Sequence, residues 1–211
     1  MKGHASDVIL PRYLWQKYQR GKEERQYRRR IADLVVRGLT VGKNVVIEPT
    51  VSIDPIYPYL ISIGDNCVIG ANVKLYAHDA SPLTWIDDYI RVGKVDIKDN
   101  CFISTGSMIM PGVTIGPNVL VGAGSIVTRD IPPDSCVAGI PARFYASIDQ
   151  MLEGHRKLIE EGRCRGQEYF TWNLQNQLEQ KDEIREAVKD GDIYVKRAHP
   201  YPWIINRDES T

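Results

Sequence analysis

An aliphatic residue returns every sixth position through the middle of the chain. The series runs Val41, Ile47, Ile53, then Ile63, Ile69, Leu75, then Ile97, Ile103, Ile109, Ile115, Val121, Val127. Ile, Leu and Val make up 53 of 211 residues, so twelve successive hits by chance would occur on the order of once in ten million trials, before allowing for two re-phasings. The position after each aliphatic is often small: Gly42, Gly64, Gly70, Ser104, Gly116, Gly122. The fourth position after it is small or β-branched at Val45, Val51, Cys67, Val73, Cys101, Ser107, Val113, Val119, Ser125 and Ile131. A hexad of this kind makes one short flat strand and one turn. Three hexads make a three-sided coil of about 18 residues with the aliphatics inside. Twelve hexads predict about four coils, enough to bury a continuous core, since stacked repeats need about three units. Cys67 and Cys101 then read as inward packing residues.

The period breaks twice. Four extra residues enter around Pro55–Leu60, and a longer insertion runs from about Asp79 to Val95. In repeat folds such insertions become loops on one face, often the binding face. The two residues that break the small fourth position are Tyr57 and Asp79, where the loops leave the coil. The predicted organisation is a basic, helical N-terminal segment over 1–38, a coil domain over 39–145 with loops near 55–62 and 79–95, and a helical extension over 146–211. In the extension, Ser147 with Gln150 reads as a capping box, the apolar spacing from Ile148 to Ile159 as a helix that Gly162 ends, and 182–190 as a second helix.

Composition narrows the partners. Basic and acidic residues number 27 each, which argues against a nucleic-acid carrier. The local basic run Arg12, Lys17, Arg20, Lys22, Arg25, Arg28, Arg29, Arg30 suits either a solvated helix beside the coil or docking on an acidic polymer or anionic membrane surface. No run of 18 apolar residues predicts a membrane span, and Val8–Leu10 is too short an apolar stretch for a signal peptide, so a cytoplasmic location is expected. The four cysteines form no CxxC pair, which argues against a zinc-thiolate site and a disulfide framework.

Of the histidines His4, His78, His155 and His199, only His78 lies within the repeat, at a turn that borders an insertion. The segment Leu75-Tyr76-Ala77-His78-Asp79-Ala80-Ser81, the later Val92-Gly93-Lys94-Val95, the run Val121 to Pro133 and Ala138-Gly139-Ile140-Pro141-Ala142-Arg143 together resemble the hexapeptide-repeat acetyltransferases, most closely their sugar and polysaccharide O-acetyltransferase branch. The resemblance covers about residues 37–145. It implies a mainly β fold, a left-handed parallel β-helix, and a homotrimer with sites between neighbouring coils. It also implies acetyl-CoA as acyl donor and no metal.

On that resemblance His78 is the expected general base for direct transfer, since an imidazole with a pKa near working pH can take a hydroxyl proton during attack on a thioester. Asp79 is a candidate to orient the ring or bind a sugar hydroxyl. Asp54 is a candidate at a recurrent acidic position, one coil below His78, with turn capping as its alternative task. Tyr57, Trp85, Asp87 and Tyr89 are candidates for the acceptor, because aromatic faces and carboxylates suit sugars. Thr105, Gly122 and Ala123 are expected beside the pantetheine arm, and Thr128, Arg129 and Arg143 beside the later part of CoA. Position 129 usually holds Lys in the family, and Arg keeps the charge with a different geometry. N-acetylation of a nucleotide-linked amino sugar and a non-enzymatic β-helix scaffold remain as other readings. A β-helix carbonic anhydrase would need three histidines around zinc, and the repeat supplies one.

Overall fold

The computed structural model describes residues 25–86, 88–166, 174–196 and 204–205, without side chains for 174–178 and 204–205. The basic residues Arg12, Lys17, Arg20 and Lys22, the histidines His4 and His199, Asp87, and the aromatics Tyr169, Phe170, Trp172, Tyr201 and Trp203 lie outside the described residues.

The hexads fold as their spacing dictates. The first coil carries β1 (Thr40–Val41), β2 (Val45–Ile47) and β3 (Ser52–Ile53). The second carries β4 (Ile61–Ile63), β5 (Val68–Ile69) and β6 (Lys74–Leu75). A hairpin of β7 (His78–Asp79) and β8 (Arg91–Val92) then leaves the coil. The third coil is β9 (Val95–Ile97), β10 (Phe102–Ile103) and β11 (Met108–Ile109), and the fourth is β12 (Thr114–Ile115), β13 (Leu120–Val121) and β14 (Ile126–Val127). Each strand pairs in parallel with its counterpart one coil away, giving three sheets: β1-β4-β9-β12, β2-β5-β10-β13 and β3-β6-β11-β14. We call these faces A, B and C.

Register puts identical hexad positions on top of one another. Ile47 pairs with Ile69, Ile69 with Ile103, and Ile103 with Val121. Val41, Ile63, Ile97 and Ile115 form the column on face A, and Ile53, Leu75, Ile109 and Val127 that on face C. Apart from the half-buried Val41 at the first coil, all of these aliphatics are buried, as is every small or β-branched fourth-position residue. The buried Ser107 and Ser125 hydroxyls both donate to the Gly122 carbonyl, at 3.0 and 2.6 Å. Cys67 and Cys101 stack as free thiols in the core, as the spacing predicts.

The turn from face A to face B has its own column, which the aliphatic period does not reveal. Asn44, Asn66, Asn100, Asn118 and Asp134 all adopt left-handed backbone, with φ between 54° and 58°. Each asparagine amide donates to the side chain of the next, ending at Asp134 Oδ1, 2.8 Å from Asn118 Nδ2. Asn tolerates this conformation better than other residues with a Cβ, and the ladder ties one corner of each coil to the next.

Both ends of the prism are covered. A helix over 25–36, α1, buries Tyr27, Ile31 and Leu34 from one face against the first coil, and the Tyr27 hydroxyl donates to the Ile47 carbonyl at 2.5 Å. At the far end the chain adds β15 (Ser135–Ala138) in parallel to face B, then folds back as antiparallel β16 (Arg143–Ser147). The other edge of face B is covered by antiparallel β19 (Ile204–Ile205) on β2. Covering those edges removes open strands that would otherwise pair with other chains.

The extension opens with α2 (Ile148–Glu160), which starts at the predicted Ser147–Gln150 capping box. Gly162 follows it with φ 81°. The second helix, α3, spans Leu174–Ala187, earlier than the predicted 182–190. Its first half is rich in Gln and Leu, which favour helix without an apolar stripe, so a reading by hydrophobic period misses it. Two short strands, β17 (Cys164–Arg165) and β18 (Tyr194–Val195), pair in parallel within the extension. No helix among the described residues is long and apolar enough to cross a membrane.

The columns make a direct test. Leu75→Ala removes a fully buried side chain and should cost about 2–5 kcal/mol in chemical denaturation. Lys74→Ala, one residue away on the outer surface of the same strand, should stay within about 0.5 kcal/mol. Equal losses would contradict the assigned inward and outward alternation.

Candidate active site

The two insertions leave the coil from adjacent levels of one corner, where face C turns toward face A. The first follows β3 and begins with Asp54. The second follows β6 and begins with the hairpin that carries His78. Because β3 and β6 pair in register, Ser52 with Lys74 and Ile53 with Leu75, Asp54 sits directly below the 76–78 turn. The Asp54 N–H donates to the Leu75 carbonyl at 2.9 Å and locks that level.

Asp54 is wholly buried and fully partnered. Oδ1 accepts from the N–H groups of Ile56 and Tyr57 at 2.9 and 3.2 Å. Oδ2 accepts from the Ala77 N–H at 3.0 Å and contacts Nδ1 of His78. Its side chain has 0% exposure, that of His78 23%. Burial pushes the carboxyl toward the neutral form, but the Ile56 N–H, the imidazole, and the N–H groups of Tyr57 and Ala77 outweigh it and hold Asp54 below the usual carboxylate range. An ionised carboxylate can only accept hydrogen bonds. Nδ1 of His78 therefore carries a proton, and in the neutral ring Nε2 presents a lone pair. Among the described residues none hydrogen-bonds Nε2. The Tyr57 ring packs edge-on to the imidazole, centroids 5.6 Å apart at 62°.

The structure thus brings Asp54, Tyr57 and His78 together. The capping and functional readings of Asp54 meet in one carboxylate, which closes its own turn and holds the ring. Asp79 does something else: its Oδ1 accepts from the Ser81 N–H at 2.8 Å, and the same hydrogen bonding to Ser81 lowers its pKa. The carboxylate that contacts the imidazole is that of Asp54. The hairpin pairs His78 with Val92 and Asp79 with Arg91, and Arg91 Nη2 donates to the Pro111 carbonyl at 2.8 Å, tying the hairpin to the third coil. Beyond it the second insertion projects Trp85, 81% exposed, with Leu83, Ile86 and Tyr89 also exposed. In the single chain Trp85 and Tyr89 do not bury against the coil.

The remaining candidates border face C. Thr105 and Ala123 lie at the corner between faces B and C in successive coils, where the Gly124 N–H donates to the Thr105 carbonyl at 2.9 Å. Gly122 belongs there for lack of room: a Cβ would stand 2.9 Å from that of Ala138. Thr128 and Arg129 are exposed at the opposite corner, after β14. Arg143 is exposed just past Ala142, whose N–H donates to the Ile126 carbonyl above β14 at 2.8 Å. Thr105, Gly122 and Ala123 thus line one edge of face C and Thr128 and Arg129 the other, while Arg143, paired with Ala138, stands above the first edge.

Sequence reasoning missed the brace on this corner. Arg37, just past α1, donates through its guanidinium to the Pro55 carbonyl, one residue from Asp54. Its only signal in the sequence is a cation near the end of a basic helix.

Comparison with known proteins gives concordant results. The family described as bacterial transferase hexapeptide (six repeats) matches residues 94–129, and that described as hexapeptide repeat of succinyl-transferase matches residues 61–77. A Bacillus subtilis (strain 168) protein named putative acetyltransferase YvoF is 36% identical over 122 residues, 58% of this chain and 68% of the relative. The galactoside O-acetyltransferase of Escherichia coli K12 is 34% identical over 130 residues, 52% of this chain and 64% of that protein. The putative colanic acid biosynthesis acetyltransferase WcaF of the same strain is 33% identical over 135 residues, 55% of this chain and 73% of that one. The chain thus spans about two thirds of the length of these curated relatives. A solved galactoside acetyltransferase in complex with coenzyme A aligns at 27% identity with a TM-score of 0.47, covering 69% of this chain and 88% of that one.

The depressed Asp54 carboxyl has a thermodynamic consequence. A carboxyl whose folded pKa lies below its unfolded value of about 3.9 adds stability that is fully present above that value and is lost as pH falls through the folded one. The difference in melting temperature between the protein and its Asp54→Asn variant should hold level near pH 5 and shrink on acidification toward about pH 2.5. A difference independent of pH over that window would contradict the ionised, hydrogen-bonded carboxylate.

Proposed function

The chain belongs to the hexapeptide-repeat acetyltransferases with the left-handed β-helix fold, and from that premise we propose that it moves an acetyl group from acetyl-CoA to a sugar hydroxyl, with His78 as general base. The observation that carries this reading is the buried, fully hydrogen-bonded Asp54 against Nδ1 of a half-buried histidine. A carboxylate so placed fixes the tautomer of the ring and stabilises the imidazolium that forms when Nε2 takes a proton, the logic of hydrolytic triads without the covalent nucleophile.

Nε2 accepts the hydroxyl proton as the acceptor oxygen attacks the thioester carbonyl carbon. The tetrahedral intermediate then breaks its C–S bond. The imidazolium returns the proton to the departing thiolate of CoA, and the acetyl ester leaves with the sugar. No acyl-enzyme intervenes, and Cys67, Cys101 and Cys136 are buried away from this route.

CoA is assigned to face C. Thr105, Gly122 and Ala123 let the pantetheine arm approach the backbone, while Thr128, Arg129 and Arg143 supply a hydroxyl and two cations for its later part. A sugar acceptor is supported by the two relatives named for galactoside and colanic acid acetylation, and by the exposed aromatics Trp85 and Tyr89 on the loop that starts at His78. The exposed apolar cluster of that loop also supports a homotrimer, in which a neighbouring coil covers Leu83 and Ile86 and turns an open face into a cleft.

His78→Ala should lower acetyl transfer to a galactoside by about 10²–10⁴-fold while leaving the thermal shift by CoA intact. Unchanged transfer in the folded variant would remove His78 from the mechanism.

A further inference from the structure

Tyr59 lies in the first insertion and has no part in the chemistry above. The residue is 59% exposed. The ring centroid stands 6.0 Å from that of Tyr57, at 74°, and Tyr57 is in turn edge-on to His78. Tyr57 thus touches both the candidate base and Tyr59. An isolated surface tyrosine would need no explanation. Here, however, the backbone beneath the ring is held from three sides. Asp54 Oδ1 takes the N–H groups of Ile56 and Tyr57. Arg37 holds the Pro55 carbonyl. Gly38, at φ +102°, packs so closely that a Cβ there would stand 2.6 Å from Tyr59 Cβ. A one-turn 3-10 helix, Pro58–Leu60, completes the brace.

A braced aromatic surface binds with little further loss of conformational freedom. The residue is exposed on a braced backbone, Tyr57 lies between it and the base, and an exposed aromatic face so placed suits a ligand with an apolar face. A pyranose offers such a face in its axial C–H groups, with hydroxyls left to the rim. We propose that Tyr59, supported by Tyr57, is an acceptor subsite that stacks on the second ring of a glycoside whose first ring presents its hydroxyl to His78. The inference rests on the sugar O-acetyltransferase reading and sharpens it: the preferred acceptor has at least two rings.

The test compares methyl β-D-galactoside with lactose as acceptors, with acetyl-CoA as donor, for the full chain and its Tyr59→Ala and Tyr59→Phe variants. The quantity read is the ratio of kcat/KM for lactose to that for methyl β-D-galactoside. Tyr59→Ala should lower this ratio about tenfold, chiefly through the KM for lactose, because an aromatic stacking contact is removed. Tyr59→Phe should keep the ratio, because the ring face remains. A ratio unchanged in Tyr59→Ala, with both acceptors slowed alike, would overturn the subsite and leave Tyr59 a support for the Tyr57–His78 packing. Transfer to neither sugar by the unaltered protein would instead overturn the sugar O-acetyltransferase reading, and the subsite with it.

Discussion

In-register stacking of one aliphatic residue per side, coil upon coil, is the constraint from which the rest of this structure follows. The strands of the four coils are only two or three residues long, far too short to be stable as isolated pairs. They persist because each contributes a side chain to a column already nearly dry, and because the parallel pairing repeats every coil. The same stacking makes loops tolerable. Ile63 finds Ile97 as its neighbour across the longer insertion as readily as Ile97 finds Ile115 across a plain coil. Chain can therefore be spent at the corners without disturbing the prism.

The candidate site exploits that freedom. Two insertions at successive levels of one corner bring a carboxylate from the first beneath an imidazole from the second. Strand pairing between β3 and β6 sets the separation, so the rigid part of the fold positions the pair while the loops remain free to diverge. This arrangement explains how a histidine on an outer turn, normally well solvated, acquires a buried anion as partner. It also explains why Asp54 can stay charged: three backbone N–H groups converge on it before the ring is counted.

The hexad spacing made the coils, their number, the inward cysteines and both insertions legible, because a period of six with an aliphatic anchor has few physical solutions. His78 stands out because the repeat holds no other histidine, and Asp54 because it precedes the first insertion at an acidic position that recurs in similar sequences. What spacing could not show was which of the two aspartates meets the ring. Asp79 is adjacent in sequence, but its side chain closes onto Ser81, whereas Asp54 arrives through strand register. The asparagine ladder was present in the sequence three residues after each face A aliphatic, yet its meaning depends on the left-handed backbone at those turns. The second helix of the extension and the strand β19 rest on propensity and long-range pairing, which carry no period. Arg37 and Tyr59 lie outside any repeat logic, because they act where a helix end meets an insertion.

Asp54 fixes His78 with its proton on Nδ1 and the lone pair of Nε2 turned outward. Two-dimensional ¹H–¹⁵N long-range correlation on histidine-labelled protein, with His78 assigned by its loss in His78→Gln, reads this directly once the ring is neutral. A protonated Nδ1 and an unprotonated Nε2 are expected for His78. A neutral ring protonated on Nε2 would contradict it, because that nitrogen could not then accept a proton from any acceptor.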